Sequence, residues 1–336
     1  MNFDWKTLPK PFTVQAPMDG VTDTVFRQMV AHVHKPDVMM TEFVCVEGFQ
    51  SKGRDRLLST FHFSPKERPI IAQVWGVTPK YFYDVAKEIV AMGFDGIDIN
   101  MGCPIQTVMK TGGGAALIDT PELAKEIIQA TRKGIQESGS SIPLSVKTRI
   151  GNRKNVADMW VRFLLGLELD ALTIHGRTAK EGFQGVCHWE EIQKIVELRN
   201  ELNAVTIIIG NGDIFSYKQA KEFSIRYGVD GVMIGRGMLQ NINCFDSSGK
   251  TLSQDELKTL LIRHLKLFSK TYGSQAHSYV LMKKYFRMYI RDFDGSAALR
   301  AQLMETQTPA EAVSILQKRA IHEAVSDMGV SQKSKV

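Results

Sequence analysis

The stretch IIAQVWGVTPKYFYDVAKEIVAMGFDGIDIN, residues 70–100, reads as strand, helix, strand. IIAQV (70–74) and GIDIN (96–100) are short apolar runs of the kind that parallel strands bury on both faces. Between them, TPKYFYDVAKEIVAMG (78–93) has a helix pattern, with Thr78 as N-cap, Pro79 at the first turn and Gly93 at the end. TPELAKEIIQATRKG (120–134) repeats the Thr-Pro opening and the Gly closing. Working outward, six more strand candidates appear: FTVQA (12–16), DVMMTEF (37–43), LSVKT (144–148), ALTIH (171–175), TIIIG (206–210) and GVMIG (231–235). Eight β-α alternations within about 240 residues predict an α/β fold, a (β/α)8 TIM barrel.

The alternation stops after Gly235. GMLQNINCFDSSGKTLSQD (237–255) is polar and reads as a linker, and residues 255–325 read as all-helical. The expected organisation is a catalytic barrel over 1–240, a linker over 241–254, a C-terminal helical domain over 255–325 and a disordered tail over 326–336.

Of 336 residues, 43% are apolar, ample for a core, yet no run approaches the roughly 18 consecutive apolar residues of a membrane span. The opening MNFDWKTLPK lacks the apolar region of a secretory signal. Cys45, Cys103, Cys187 and Cys244 are widely spaced, which suggests neither a zinc site nor a disulfide framework. A cytoplasmic, metal-free monomer with free thiols is expected. Net charge is +6, and 13 Lys and Arg against 8 Asp and Glu fall after residue 250. A basic C-terminal quarter suits a polyanion such as nucleic acid, with a solvated helical face as the alternative.

TIM barrels carry their chemistry at the C-terminal strand ends. Here seven of eight ends bear unusual polar residues: Pro17-Met18-Asp19, Gln73, Asn100 with Cys103, Lys147 with Arg149, His175 with Arg177, Asn211-Gly212-Asp213 and Gly235-Arg236-Gly237. The last two loops, NGD and GRG, can bring backbone amides to a phosphate, with Arg236 as a forked cation. FMN is one cofactor that fits a single phosphate site. A doubly wound fold lacks its glycine loop after the first strand, and TGGGAA (111–116) lacks the Lys-Ser/Thr of a P-loop. Lys147, inside an apolar strand, should face an anionic ligand edge, and Gln73 can bond the same edge. His175 is a ligand for flavin or substrate. Cys103, in a Gly-Cys-Pro turn, is a thiol placed to donate a proton, and KTGGGAA (110–116) is a candidate lid.

In order, APMDGVTD (16–23), Gln73, DINMGCP (98–104), GGGAALI (112–118), VKTRIG (146–151), HGRT (175–178), GNGDI (210–214) and IGRG (234–237) resemble the bacterial tRNA-dihydrouridine synthases. The resemblance implies FMN as cofactor, NADPH as reductant and tRNA as partner. It implies hydride transfer to C6 of a uridine, with Cys103 as the acid protonating C5. It assigns Pro17, Met18, Asp19, Gln73, Lys147, His175, Asn211, Gly212, Asp213, Gly235 and Arg236 to the cofactor, and Asn100 to the substrate. Arg177 is placed beside it as a substrate contact.

The C-terminal part supports RNA binding separately. In MKKYFRMYIRDF (282–293), Lys283, Arg287 and Arg291 are spaced i, i+4, i+8, a basic stripe on a predicted helix. Arg263, Lys266 and Lys270 form a second stripe. Such stripes position phosphates without reading bases, and a base must leave its stack to enter a barrel mouth. Two alternatives stay open: an FMN barrel acting on a small molecule, and a tRNA-binding protein without catalysis.

Overall fold

The computed structural model describes residues 3–273 and 276–318, the side chains of 276–278 excepted. The chain forms two units, Met1–Gly249 and Lys250–Val336.

The first unit is the barrel. Its strands are β1 (Phe12–Gln15), β2 (Met39–Met40), β3 (Ile70–Trp75), β4 (Gly96–Met101), β5 (Leu144–Arg149), β6 (Ala171–His175), β7 (Ile207–Asn211) and β8 (Gly231–Ile234). All neighbours pair in parallel in the order β1-β8-β7-β6-β5-β4-β3-β2. A bridge between Val14 and Val38, with Gln15 N donating to Val38 O at 2.9 Å, joins β2 back to β1 and closes the cylinder.

β2 is far shorter than DVMMTEF suggests. The reason is Thr41, whose Oγ1 accepts the Gln73 amide at 3.0 Å and takes a rung that a backbone carbonyl would otherwise fill. A second two-residue strand, Val44–Cys45, then pairs with Val74–Trp75. Trp5, Phe12, Val14, Ile207 and Met233 belong to one buried cluster, with Trp5 and Phe12 rings 5.9 Å apart. Each such side chain contributes about 1.5–3 kcal/mol on burial.

The expected helices are Pro79–Ala91 and Pro121–Glu137. Thr78 occupies the N-cap, but its hydroxyl makes no cap bond; Glu47 Oε1 takes the Val77 and Thr78 amides at 2.8 and 3.0 Å. Gly134 does not close its helix. It lies inside, where a Cβ would meet Tyr83 O at 2.5 Å, so glycine serves the close approach of these two helices. The stretch read as a polar linker buries Ile242, Cys244 and Phe245.

The second unit is helical: Gln254–Tyr272, Ala276–Met282, Phe286–Tyr289, Ser296–Glu305 and residues 309–318. Ser253 and Glu256 form a capping box at its start. Leu261, Leu265, Phe268, Met282, Tyr289 and Leu303 are among its buried residues. MKKYFRMYIRDF is not one helix. Lys283–Tyr285 is a tighter 3-10 turn, and Ile290 turns extended at φ −107, ψ 90. Arg291 therefore lies past the helix end, its Nε 3.5 Å from Asp292, and the predicted i, i+4, i+8 stripe is broken. Lys283 Nζ bonds Met304 O at 2.6 Å, while Arg287 is exposed. Arg263, Lys266 and Lys270 share an exposed helix face as expected. The predicted tail, 326–336, lies outside the described residues.

Candidate active site

A cavity of about 400 Å³ opens at the C-terminal strand ends. Of the residues singled out in the sequence, Pro17, Met18, Asp19, Asn100, Cys103, Lys147, His175, Asn211, Gly212, Asp213, Gly235 and Arg236 are brought together in its lining. Gln73 and Arg177 are not in its lining. Arg149, Phe43 and Phe183 are.

Strand alternation explains the floor. Lys147 and Arg149 project on one face of β5, while Thr148 turns outward and accepts the Trp160 indole N–H at 3.0 Å. Burial, then the Arg149 charge, lowers the Lys147 pKa to about 8, while Asp98 pulls it back up. Arg149 is pushed down to about 10, chiefly by burial, and so stays charged. It donates to the carbonyls of Gly102 at 2.7 Å and of Thr178 and Gly182 at 3.0 Å each. The sequence places this cation at a strand end without giving it a ligand; the structure puts it, buried, in the cavity wall.

Behind the lining runs a polar chain. Ser145 Oγ donates to Asp98 Oδ1 at 2.6 Å, and Gln73 Nε2 donates to Asp98 Oδ2 at 2.7 Å. Asn100 Nδ2 donates to Gln73 Oε1 at 3.0 Å. Asn100 Oδ1 accepts the amides of Gly102 at 3.1 Å and Cys103 at 2.9 Å. Burial lifts the Asp98 pKa to about 6, against the pull of those hydrogen bonds and Lys147.

Cys103 is 7% exposed on the cavity wall. Burial raises its thiol, which keeps it protonated at neutral pH. The glycine loop behind it is a buttress, not a lid. Ala115 N donates to Cys103 O at 3.0 Å, and a Cβ on Gly114, at φ +58, would meet that oxygen at 2.7 Å. The segment at the mouth is instead the loop after β6. Its Phe183 ring is 60% exposed, with the Arg149 and Arg236 guanidinium carbons 5.7 and 5.1 Å from its centroid.

Two loops remain. Gly212 sits at φ +130, and a Cβ there would meet Cys187 Sγ at 2.3 Å, so only glycine fits. Among the described residues, the amides of Gly212, Asp213, Gly235 and Arg236 have no backbone partner. Arg236 Nη2 donates to Asp213 Oδ1 at 2.6 Å. Arg177 also binds the Asp213 carboxylate, and its Nε donates to Gln184 O at 2.9 Å. Arg177 thus pins the Phe183 loop from within, 1% exposed, and lies outside the cavity lining. Burial and the charges of Arg149, Lys147, Arg177 and Arg236 hold His175 well below its ordinary pKa, so it is neutral. Among the described residues, no cluster of His, Cys, Asp and Glu could hold a metal, and no helix is long and apolar enough to cross a membrane.

The dihydrouridine synthase (Dus) family pattern matches residues 14–326. Over 314 residues the chain is 40% identical to "Probable tRNA-dihydrouridine synthase" of Staphylococcus aureus (strain COL), covering 93% of this chain and 94% of that one. It is 38% identical over 315 residues to "Probable tRNA-dihydrouridine synthase 2" of Bacillus subtilis (strain 168), covering 93% and 95%. With its barrel and its cysteine-lined mouth, the chain belongs to the dihydrouridine synthase family.

Proposed function

We propose that this protein reduces the C5=C6 bond of a uridine in tRNA to 5,6-dihydrouridine, with FMN held in the barrel mouth and NADPH as reductant. The observation that carries the reading is a protonated, buried thiol on the wall of a cationic cavity that also has a built anion cradle. The residues present suit FMN: unpartnered amides at Gly212, Asp213, Gly235 and Arg236 can take its phosphate, and Lys147 can face its electron-rich ring edge. When bound and reduced, FMN supplies a hydride to uracil C6.

Everything else falls to this chain. Asn100 spends one amide N–H on Gln73 and keeps the other for the uracil carbonyl. Lys147 and Arg149 stabilise the enolate that develops across C4 and C5. Cys103 delivers its proton to C5, and a bulk donor later restores the thiol. Neutral His175 can donate a hydrogen bond without adding to the crowd of cations. The exposed row Arg263, Lys266 and Lys270 offers three cations to RNA phosphates. A test is the dihydrouridine content of tRNA from a strain lacking the gene: one modified position must disappear and return with the wild-type gene. Unchanged tRNA, with flavin in the purified protein, would favour reduction of a small molecule instead.

A further inference from the structure

We propose that Asp98, outside the cavity lining, is a positioning residue for Cys103, because it sets the direction of the buried hydrogen-bond chain that ends on the Cys103 amide. The proposal rests on the reading of Cys103 as the reacting thiol. Asp98 is fully buried, and its carboxylate accepts from Ser145 Oγ and Gln73 Nε2. A carboxylate has no proton to give, so Gln73 must turn its NH2 toward Asp98. Its oxygen then points away and can only accept, which selects the NH2 of Asn100. Asn100 is left with its oxygen toward the amides of Gly102 and Cys103.

Each link is an amide with a donor end and an acceptor end. Turning any one of them would set donor against donor and acceptor against acceptor among buried groups. The charged group acting on Asp98 is Lys147 from β5, which favours the carboxylate form and so the same direction. The chain crosses three strands: Asp98 and Asn100 on β4, Gln73 on β3 and Ser145 on β5. Its far end is the turn that presents the thiol.

The experiment is alkylation of the native, flavin-loaded protein by iodoacetamide, read peptide by peptide. Asp98→Ala removes the terminal acceptor and should speed alkylation of Cys103 by about fivefold or more as its turn loosens, with Cys45 unchanged. Gln73→Met cuts the chain without touching a charge and should reproduce that acceleration. Asp98→Asn keeps an oxygen for Gln73, while Ser145 can turn its hydroxyl to Ile97 O, 3.5 Å away; it should stay within about twofold of wild type. Equal rates for Asp98→Asn and Asp98→Ala would overturn the proposal, as would a flavin-loaded Gln73→Met protein with wild-type alkylation. The readout involves no uridine, so its failure and failure of the reductase reading are separate results.

Discussion

Arg236 donates to Asp213 at 2.6 Å, so the cation proposed to take a cofactor phosphate is already engaged by a carboxylate. Binding a phosphate there is an exchange of anions. Arg236→Ala should therefore weaken FMN binding by about tenfold, roughly 1.4 kcal/mol, the low end for a charge-assisted bond. Asp213→Asn removes the competing anion and should leave FMN binding at least as tight. Titration of apoprotein with FMN checks both. Equal loosening in the two variants would show that the carboxylate organises the cradle and the guanidinium does not.

Gly134→Ala tests the helix crossing. Alanine is favoured over glycine in a helix by up to about 1 kcal/mol. Here its Cβ would lie 2.5 Å from Tyr83 O, a backbone atom with little freedom to yield. A net loss of about 1–3 kcal/mol is expected in urea unfolding, since overpacking outweighs propensity. A more stable variant would mean the two helices part easily.

His264 should make the chain acid-sensitive. Burial lowers its folded pKa to about 3, and its Nδ1 lies 3.0 Å from Tyr289 OH. The unfolded chain binds the proton near pH 6.5 and the folded chain does not, so stability falls as pH drops below 6.5 and continues to fall toward 3. From pH 7 to 5 the loss is about 2 kcal/mol. His264→Gln should flatten that limb of the urea midpoint against pH. An unchanged slope would place the titration elsewhere.

β3 to β8 are legible in the sequence because buried parallel strands are apolar on both faces, and an inward Lys147 between outward residues marks a ligand wall. What is not legible depends on partners remote in the chain. Gln73 faces inward, but its bonds go to Asp98 and Asn100, and only the folded register brings these together. Arg177 looks like a substrate contact until Asp213, 36 residues on, claims it. The helix break near Ile290 has no proline or glycine to announce it. Tyr285, Phe286, Met288, Tyr289 and Ile290 are all buried, more than one face of a continuous helix can hide, and packing bends the backbone to suit.

That break redistributes the expected RNA-binding surface. Arg263→Ala, Lys266→Ala and Lys270→Ala combined should weaken tRNA binding and flatten its salt dependence by up to about three units of slope, one for each phosphate no longer neutralised. Arg291→Ala should change the slope little, because its guanidinium sits beside Asp292 past the helix end. Filter binding from low to moderate salt checks both. A triple variant with the wild-type slope would make that face a solvated surface only.

Cys103→Ala isolates the proton. In the proposed reaction, hydride arrival at uracil C6 leaves negative charge across C5 and the C4 carbonyl, and C5 must then be protonated. Burial raises the Cys103 thiol above its ordinary range, so it remains loaded at neutral pH. Removing it should slow reoxidation of reduced flavin by unmodified tRNA by about 100-fold or more, the usual worth of a positioned acid. Flavin content and flavin reduction by NADPH should be nearly unaffected, because the phosphate cradle and Lys147 are intact. The pH profile gives an independent check. With a raised thiol pKa, the alkaline fall of the wild-type reoxidation rate should lie at higher pH than an unperturbed thiol near about 8.5 would give. The measurement is anaerobic single-turnover absorbance of the flavin after mixing with tRNA. If Cys103→Ala reoxidises at the wild-type rate, a different group gives the proton, and Cys103 serves only to close the cavity wall against Gly114.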